Sequence, residues 1–165
     1  MANHAKRQSV EIVPVLRRDL PAVVELWQES VRLHSAADER FTPAPDALRH
    51  YYDYLSNALL RRDHHLRVAK EGREFLGFCL SQFNSSNPIF PHGPVGFLAD
   101  LAVTQSAKRL GIGQALTQVA LDWMKENGVR VVHVTVSVYN QAAQKFWREA
   151  MGFQPYMDRL WLDLA

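Results

Sequence analysis

Two glycines set one residue apart, Gly111 and Gly113, follow the basic side chains of Lys108 and Arg109. Glycine lets backbone N–H groups approach a ligand without a Cβ in the way, and the first turn of a helix offers unpaired N–H donors. These residues therefore predict a seat for a diphosphate. A Walker A loop is excluded because its glycine spacing and its Gly-Lys-Ser/Thr ending are absent. A dinucleotide fingerprint is excluded because Leu116 stands where a third glycine is needed.

A strand and a long helix must position this turn. Residues 96–103 are apolar enough for a buried strand and contain one acid, Asp100. Apolar residues then recur at three- and four-residue steps from Ile112 to Met124, which is typical of a helix with one apolar face. A glycine pair between such elements is also compatible with a simple tight turn, because glycine is the default turn residue.

The run LAVTQSAKRLGIGQAL, residues 101–116, resembles the acetyl-CoA-binding motif of the GNAT superfamily of N-acetyltransferases. That motif reads Arg/Gln-x-x-Gly-x-Gly/Ala after a strand that ends in Leu-x-Val. Lys108 stands at the Arg/Gln position here, so the positive charge is kept while the planar fork of arginine is lost.

A second run, VYNQAAQKFWREAMGF, resembles the family's Asn-x-x-Ala-x-x-Phe/Leu-Tyr…Gly-Phe segment. The matching residues are Asn140, Ala143, Phe146, Gly152 and Phe153. Two motifs in the right order are more specific than either alone, and the resemblance covers about residues 95–155.

The resemblance implies a GNAT fold, an α/β (α+β) arrangement with helices around a mixed, mostly antiparallel sheet. Its parallel fourth and fifth strands would splay apart, and the pantetheine arm of acetyl-CoA would lie in the splay. Acetyl-CoA is the implied co-substrate, and no metal is expected. The family's cofactor contacts, carried onto this sequence, fall on Leu101, Ala102, Val103, Lys108, Arg109, Leu110, Gly111, Ile112, Gly113, Gln114, Asn140 and Phe146.

The implied reaction is direct attack of a primary amine on the thioester in a ternary complex. Family members often carry a glutamate or histidine where Ala99 stands and a tyrosine where Trp147 stands, so both catalytic groups are in question. Asp100 is the candidate base or amine anchor, on the opposite face from Ala99 unless a bulge intervenes; it is otherwise a structural acid. Tyr139, or less favourably Tyr156, is the candidate proton donor to the CoA thiolate, which otherwise leaves unassisted or takes a proton from water.

Acceptor selection is expected from the less family-like parts: the loop 34–45, the start of the second helix and the turn-rich 84–94. The candidate contacts there are His34, Arg40, Tyr51 and His92. Acidic residues would suit a cationic amine, whereas Arg40 would suit the carboxylate of an amino acid or peptide, and the sequence does not choose between them. Each candidate can also be read as an ordinary solvated residue.

Length and composition set the remaining bounds. The chain of 165 residues predicts one domain over 10–165 after a flexible leader at 1–9. A net charge of +2 from scattered side chains argues against nucleic acid. Cys79 is the single cysteine, so an intrachain disulfide is excluded. With no signal peptide and no apolar run long enough for a membrane span, a cytoplasmic protein is expected, and family habit implies a homodimer.

Ten elements are predicted in the order strand, two helices, three strands, helix, strand, helix, strand. Asp19 and Asp46 are the expected caps of the first two helices. The predicted strands cover 10–16, 66–69, 74–83, 96–103, 129–138 and 153–164, and the last helix covers 140–151. The sequence thus predicts a GNAT N-acetyltransferase acting on a small molecule or peptide. Its alternative is a non-catalytic acyl-CoA-binding module of the same fold.

Overall fold

The computed structural model describes residues 9–84 and 93–164 of the chain. Two compact units divide it, Met1–Thr135 and Val136–Ala165. The first unit holds a sheet with helices on both faces, and the second holds a short helical segment followed by an irregular one. His92, one of the four acceptor candidates, lies outside the described residues.

A five-stranded sheet forms the centre of the first unit, with its strands in chain order. The strands are β1 (Glu11–Pro14), β2 (His64–Glu71), β3 (Glu74–Asn84), β4 (Val95–Val103) and β5 (Val131–Val134). The first four pair antiparallel, and β4 pairs parallel with β5. This confirms the mixed, mostly antiparallel sheet. The edge position of β1 fits Pro14, which has no N–H to offer to a second neighbour.

Helices cover both faces of this sheet. They are α1 (Leu20–Ala37), α2 (Ala47–Ala58) and α3 (Ile112–Glu126). Leu66 and Val68 of β2 belong to the buried core that includes α1 and α2, whereas His65, the residue before Leu66, stacks on Trp123 of α3. Because neighbouring strand residues point to opposite faces, α1 and α2 cover one face of the sheet and α3 covers the other.

The first helix is longer than predicted, and this moves His34 out of the expected loop. The helix runs to Ala37, so His34 lies in its last turn. The Nδ1 of His34 bonds the carbonyl of Ser30 at 2.8 Å, and Ser35 Oγ donates to the carbonyl of Val31 at 2.8 Å. These side chains bond within the helix instead of breaking it, and Asp38 in extended conformation follows its end.

The two predicted helix caps are wrong at the level of the side chain. Asp19 does stand before α1, but its carboxylate accepts from the N–H of Leu16 at 3.0 Å and from Lys70 Nζ at 3.1 Å. Asp46 stands before α2, and its carboxylate accepts from the side chains of Arg49 and His50 at 3.1 and 2.7 Å. In both cases a nearby cation provides a stronger partner than the helix N–H groups.

The fifth strand is shorter than the predicted 129–138. Val129 is buried, and its N–H donates to the carbonyl of Met124, so it belongs to the turn that ends α3. Gly128 in this turn has a φ of +78°, the left-handed conformation that commonly follows the end of a helix. Only Val131–Val134 pairs with β4.

The second unit contains α4 (Gln141–Lys145), which continues as a π-helical turn over Phe146–Ala150. This confirms the predicted extent of the last helix. Trp147 is buried and packs edge-on against Phe146 and Phe153, at ring-centroid distances of 4.9 and 5.3 Å. The predicted last strand is wrong, since residues 153–164 form no helix or strand.

No helix in the described parts of the chain combines the length and apolarity needed to cross a membrane.

Candidate acetyl-transfer site

A β-bulge in β4 decides where Asp100 points. Leu80 of β3 lies opposite Asp100, while the next residue, Ser81, lies opposite Leu98, so Ala99 is an extra residue on β4. An extra residue shifts the alternation of side chains by one position. The bulge that was the stated exception to simple alternation of Ala99 and Asp100 is therefore present in the strand.

The two halves of β4 face different layers. A Cβ at Gly96 would collide with the side chain of Met124, so this part of the strand packs directly on α3. Asp100 lies four residues later and would share that face in a regular strand. Instead it contacts α2, and Ala102 belongs to the core of α1 and α2. The bulge thus turns Asp100 toward α1 and α2.

Tyr51 of α2 donates a hydrogen bond to Asp100 Oδ2 at 3.1 Å. Burial raises the pKa of the Asp100 carboxyl, although the hydrogen bond from Tyr51 and the charge of His34 act in the opposite direction. The pKa of Tyr51 is itself raised by burial and by the neighbouring carboxylate, so this residue remains a donor. A carboxylate whose pKa is raised toward neutrality is better suited to accept a proton than an exposed one.

Aromatic rings surround the Tyr51–Asp100 pair. Trp27 of α1 stacks on Tyr51 with ring centroids 4.1 Å apart and planes at 13°. Tyr54, one turn further along α2, lies 6.1 Å from Tyr51, and 39% of its surface is exposed. Burial raises the pKa of Tyr54, and the charge of Asp100 raises it further.

His34 and Arg40 differ in how they relate to this carboxylate. Because a carbonyl oxygen only accepts, the bond to Ser30 places the proton of a neutral His34 on Nδ1 and its lone pair on Nε2. Arg40 instead holds Asp38 with Nε and NH2 at 2.8 and 2.7 Å. The structure therefore brings Tyr51 into contact with Asp100 and lets the charge of His34 act on that carboxyl, whereas the guanidinium of Arg40 holds Asp38.

The second half of β4 has one open edge. Pairing with β5 ends at Leu98 and Val134, while β4 continues to Val103 with β3 on its other side. No strand in the described part of the chain pairs with this open edge at Leu101, Ala102 and Val103. These three residues form the splayed segment that the family resemblance predicts.

The glycine turn follows directly and has the backbone of an anion seat. Arg109 and Gly111 both have positive φ, +67° and +80°, and no side chain caps the N-terminus of α3. Lys108, Arg109 and Leu110 are exposed, whereas the side chain of Ile112 is buried, which anchors the helix start in the core. Backbone N–H groups in such a turn form a concavity that binds anions.

Two aromatic residues of the site, Trp27 and Tyr54, were not predicted from the sequence. Helical spacing could have found them, because Tyr54 is three residues after Tyr51 and Trp27 is seven before His34. His133 of β5 lies edge-on to Phe97 of β4, with the ring centroids 5.6 Å apart. No group of three or more metal-ligating side chains is found among the described residues.

The remaining predicted contacts lie in the second unit. Asn140 Oδ1 accepts from the N–H of Ala143 at 3.0 Å and caps α4. Phe146 packs on Trp147, and Tyr139 is 57% exposed. The cofactor roles of Asn140 and Phe146 and the acid role of Tyr139 stay predictions.

Comparison with known proteins points to one family. The sequence model described as "Acetyltransferase (GNAT) family" matches residues 22–153, well over half of the chain. A curated relative, N-alpha-acetyltransferase 30 of Schizosaccharomyces pombe, is 38% identical over 61 residues. That match spans 37% of this chain and only 40% of the relative's length.

Solved structures share the fold at low sequence identity. An aminoglycoside antibiotic 6'-N-acetyltransferase from Acinetobacter haemolyticus has a TM-score of 0.74 at 16% identity, covering 94% of this chain and 98% of that one. A predicted acetyltransferase from Clostridium acetobutylicum, solved with acetyl-CoA, has a TM-score of 0.73 at 18% identity, covering 94% and 97%.

Proposed function

Because the chain belongs to the acetyltransferase (GNAT) family, we propose that it transfers an acetyl group from acetyl-CoA to a primary amine of a small molecule or peptide. Direct attack takes place in a ternary complex. The observation that carries this proposal is the position of Asp100. It precedes the open-edged segment Leu101–Val103 on the same strand, and the bulge at Ala99 turns its carboxylate toward α1 and α2.

The residues present fit acetyl-CoA. The open edge at Leu101, Ala102 and Val103 offers backbone groups to the amides of a pantetheine arm, as an added strand would use them. Residues 109–114 offer N–H donors to the diphosphate, with Lys108 and Arg109 beside them. When bound, acetyl-CoA supplies an activated acyl group, and we expect Asn140 and Phe146 to contact it as well.

Proton transfer is assigned to two side chains, Asp100 and Tyr139. An amine arrives as an ammonium ion and has no lone pair until it loses a proton. Asp100 accepts this proton, helped by the burial that raises its pKa. Tyr139 is the proposed donor to the departing thiolate, since Trp147 is buried in packing and an indole N–H does not ionise at neutral pH.

The names of the relatives support an amino-group acceptor. One is named for acetylation at an alpha position, and another acts on an aminoglycoside antibiotic. Neither name transfers to this chain, but both describe acetyl transfer to nitrogen.

Calorimetric titration with acetyl-CoA, followed by a thiol-release screen over amines, amino acids, polyamines and aminoglycosides, tests the proposal. We expect micromolar binding and thiol release with at least one amine. A protein that does not bind acetyl-CoA would contradict the proposed diphosphate seat.

The second candidate function is a non-catalytic acyl-CoA-binding module. It is favoured by Ala99 and by the packing of Trp147, which leave the usual base and acid positions of the family without such groups. Such a module would bind acetyl-CoA without thiol release across the panel.

We also propose a homodimer in a reducing cytoplasmic compartment. Apolar side chains along the last segment support self-association, because Leu160 and Leu164 are 91% and 90% exposed. Sedimentation equilibrium would show a mass twice that of the 18.9 kDa chain.

A further inference from the structure

We infer that the acceptor is a cationic amine with no carboxylate on the carbon that bears the amino group, and that its ammonium group binds Asp100 beside the rings of Tyr51 and Tyr54. This inference rests on the proposed function and names the acceptor class of the same site. It resolves the choice that the sequence leaves open between a cationic amine and an amino acid.

The attraction for an ammonium group comes from the carboxylate of Asp100. Its carboxylate is largely withdrawn from water, and Tyr51 supplies one hydrogen bond to Oδ2. A carboxylate in such surroundings gains more from an approaching cation than an exposed one does, because its field is less screened. The partly exposed ring of Tyr54 adds an aromatic surface that favours the same charge.

The groups that act on Asp100 electrostatically leave the neutralising positive charge to be supplied by the ligand. Among the described residues they are His34, Tyr51, Tyr54 and Cys79. Burial and the charge of Asp100 raise the pKa values of Tyr51 and Cys79, so both side chains stay protonated and neutral. Within this set only His34 can carry a positive charge, and it does so only when protonated.

Amino acids are excluded as acceptors by the position that their carboxylate would occupy. An amino acid would bring its carboxylate within two bonds of the ammonium group and thus close to Asp100, where like charges repel. The guanidinium that could have offset this repulsion, that of Arg40, already holds Asp38 through two hydrogen bonds. Releasing it would leave the carboxylate of Asp38 with the backbone N–H of Arg40 as its donor.

Another arginine, Arg32, marks a more remote position. It lines a crevice of about 230 Å³ together with Trp27, Val31 and Leu48. Neither Asp100 nor Tyr51 lines this crevice. A carboxylate at the far end of a longer acceptor is therefore compatible with the site, whereas one beside the amino group is not.

Matched pairs of ligands that differ only by the carboxylate test the inference. Cadaverine with lysine, agmatine with arginine, and tyramine with tyrosine are titrated calorimetrically into the protein without acetyl-CoA. We expect the decarboxylated member of at least one pair to bind at least tenfold more tightly, with the preference lost in Asp100→Asn and kept in Tyr52→Phe. Equal or tighter binding of the amino acids would overturn the inference, as would binding of none of the three amines.

The same pairs are then assayed for thiol release with acetyl-CoA, so that the two proposals fail separately. Amine binding without thiol release would keep the inference and contradict the proposed transfer. Thiol release with the amino acids in preference to the amines would keep the transfer and overturn the inference.

Discussion

The hydroxyl of Tyr51 on α2 donates to Oδ2 of Asp100 on β4 at 3.1 Å, and the two residues are 49 positions apart in the chain. Trp27 stacks on the ring of Tyr51 and so fixes the direction of this hydroxyl. One hydrogen bond thereby links the helical layer to the only acid in the strand that carries the proposed cofactor edge. Its removal affects the proton affinity of Asp100 more than the fold.

Tyr51→Phe should shift the acidic limb of the rate profile to higher pH. The hydrogen bond from Tyr51 favours the ionised carboxyl, so its loss raises the pKa of Asp100 and extends the range over which the base is protonated. A hydrogen bond to a charged group contributes more than one between neutral groups, so its loss should be visible in the profile. The measurement is kcat against pH, with Tyr52→Phe as the matched control. Superimposable profiles for Tyr51→Phe and wild type would contradict this role.

Asp100→Asn should abolish most activity while stabilising the fold. Loss of a general base lowers kcat by about 10²–10⁴-fold. Because burial raises the folded-state pKa of Asp100, ionisation above that pKa opposes folding, and the neutral amide removes this penalty while still accepting from Tyr51.

Thermal unfolding of Asp100→Asn at pH 7.5 should give a Tm about 2–4 °C higher, the shift that about 1 kcal/mol produces at this size. The difference from wild type should vanish below about pH 4, where the carboxyl is protonated in folded and unfolded chains alike. A lower Tm at neutral pH would show that the carboxylate is structurally required.

Gly111→Glu should lower acetyl-CoA affinity by at least about a hundredfold, an effect of about 2.7 kcal/mol. The substitution places a carboxylate in the turn that is proposed to bind the diphosphate. Gly128→Glu is the matched control at the other end of α3. Both glycines have positive φ, +80° and +78°, and neither would place a Cβ within 4 Å of another atom. The strain is therefore similar at both sites, and equal affinities in calorimetry would contradict the assigned seat.

Trp147→Phe should retain activity within about tenfold, since less than 1.4 kcal/mol of transition-state stabilisation is at stake if the indole only packs. Trp147 is buried between Phe146 and Phe153, so the smaller ring should reduce stability by less than the ~3–5 kcal/mol of a truncation to alanine. Steady-state kinetics and denaturant unfolding measure the two effects. A loss of kcat well beyond tenfold in a Trp147→Phe variant that remains folded would implicate Trp147 in the reaction.

Local patterns in the sequence predicted most of the elements and the glycine turn well. The step from strand to glycine turn to helix around Gly111 depends on residues adjacent in the chain, and so does the stop at Gly128. Such features can be predicted because backbone preference and apolar periodicity act over a few residues. The sheet composition followed from the resemblance rather than from these patterns.

Features that depend on distant partners were predicted less well. The bulge at Ala99 depends on the register with β3, which the strand's own residues do not specify. The carboxylate of Asp19 lies 51 residues before Lys70, its ion-pair partner, so its role as a helix cap was assigned wrongly. The segment 153–164 has the composition of a strand, but a strand exists only where a neighbour pairs with it.

The extra residue at Ala99 shifts the alternation of side chains along β4 by one position. Before it, Gly96 and Leu98 follow one alternation, and after it Asp100 and Ala102 follow the opposite one. Deleting Ala99 would leave a regular strand in which Leu98 and Asp100 are neighbours, still opposite Ser81 and Leu80, so the later side chains of β4 would keep the layer they now face. We therefore expect a saturation scan along β4 to give different results on the two sides of Ala99. Substitutions before Ala99 should lower the abundance of the folded protein, whereas substitutions after it should lower enzymatic turnover.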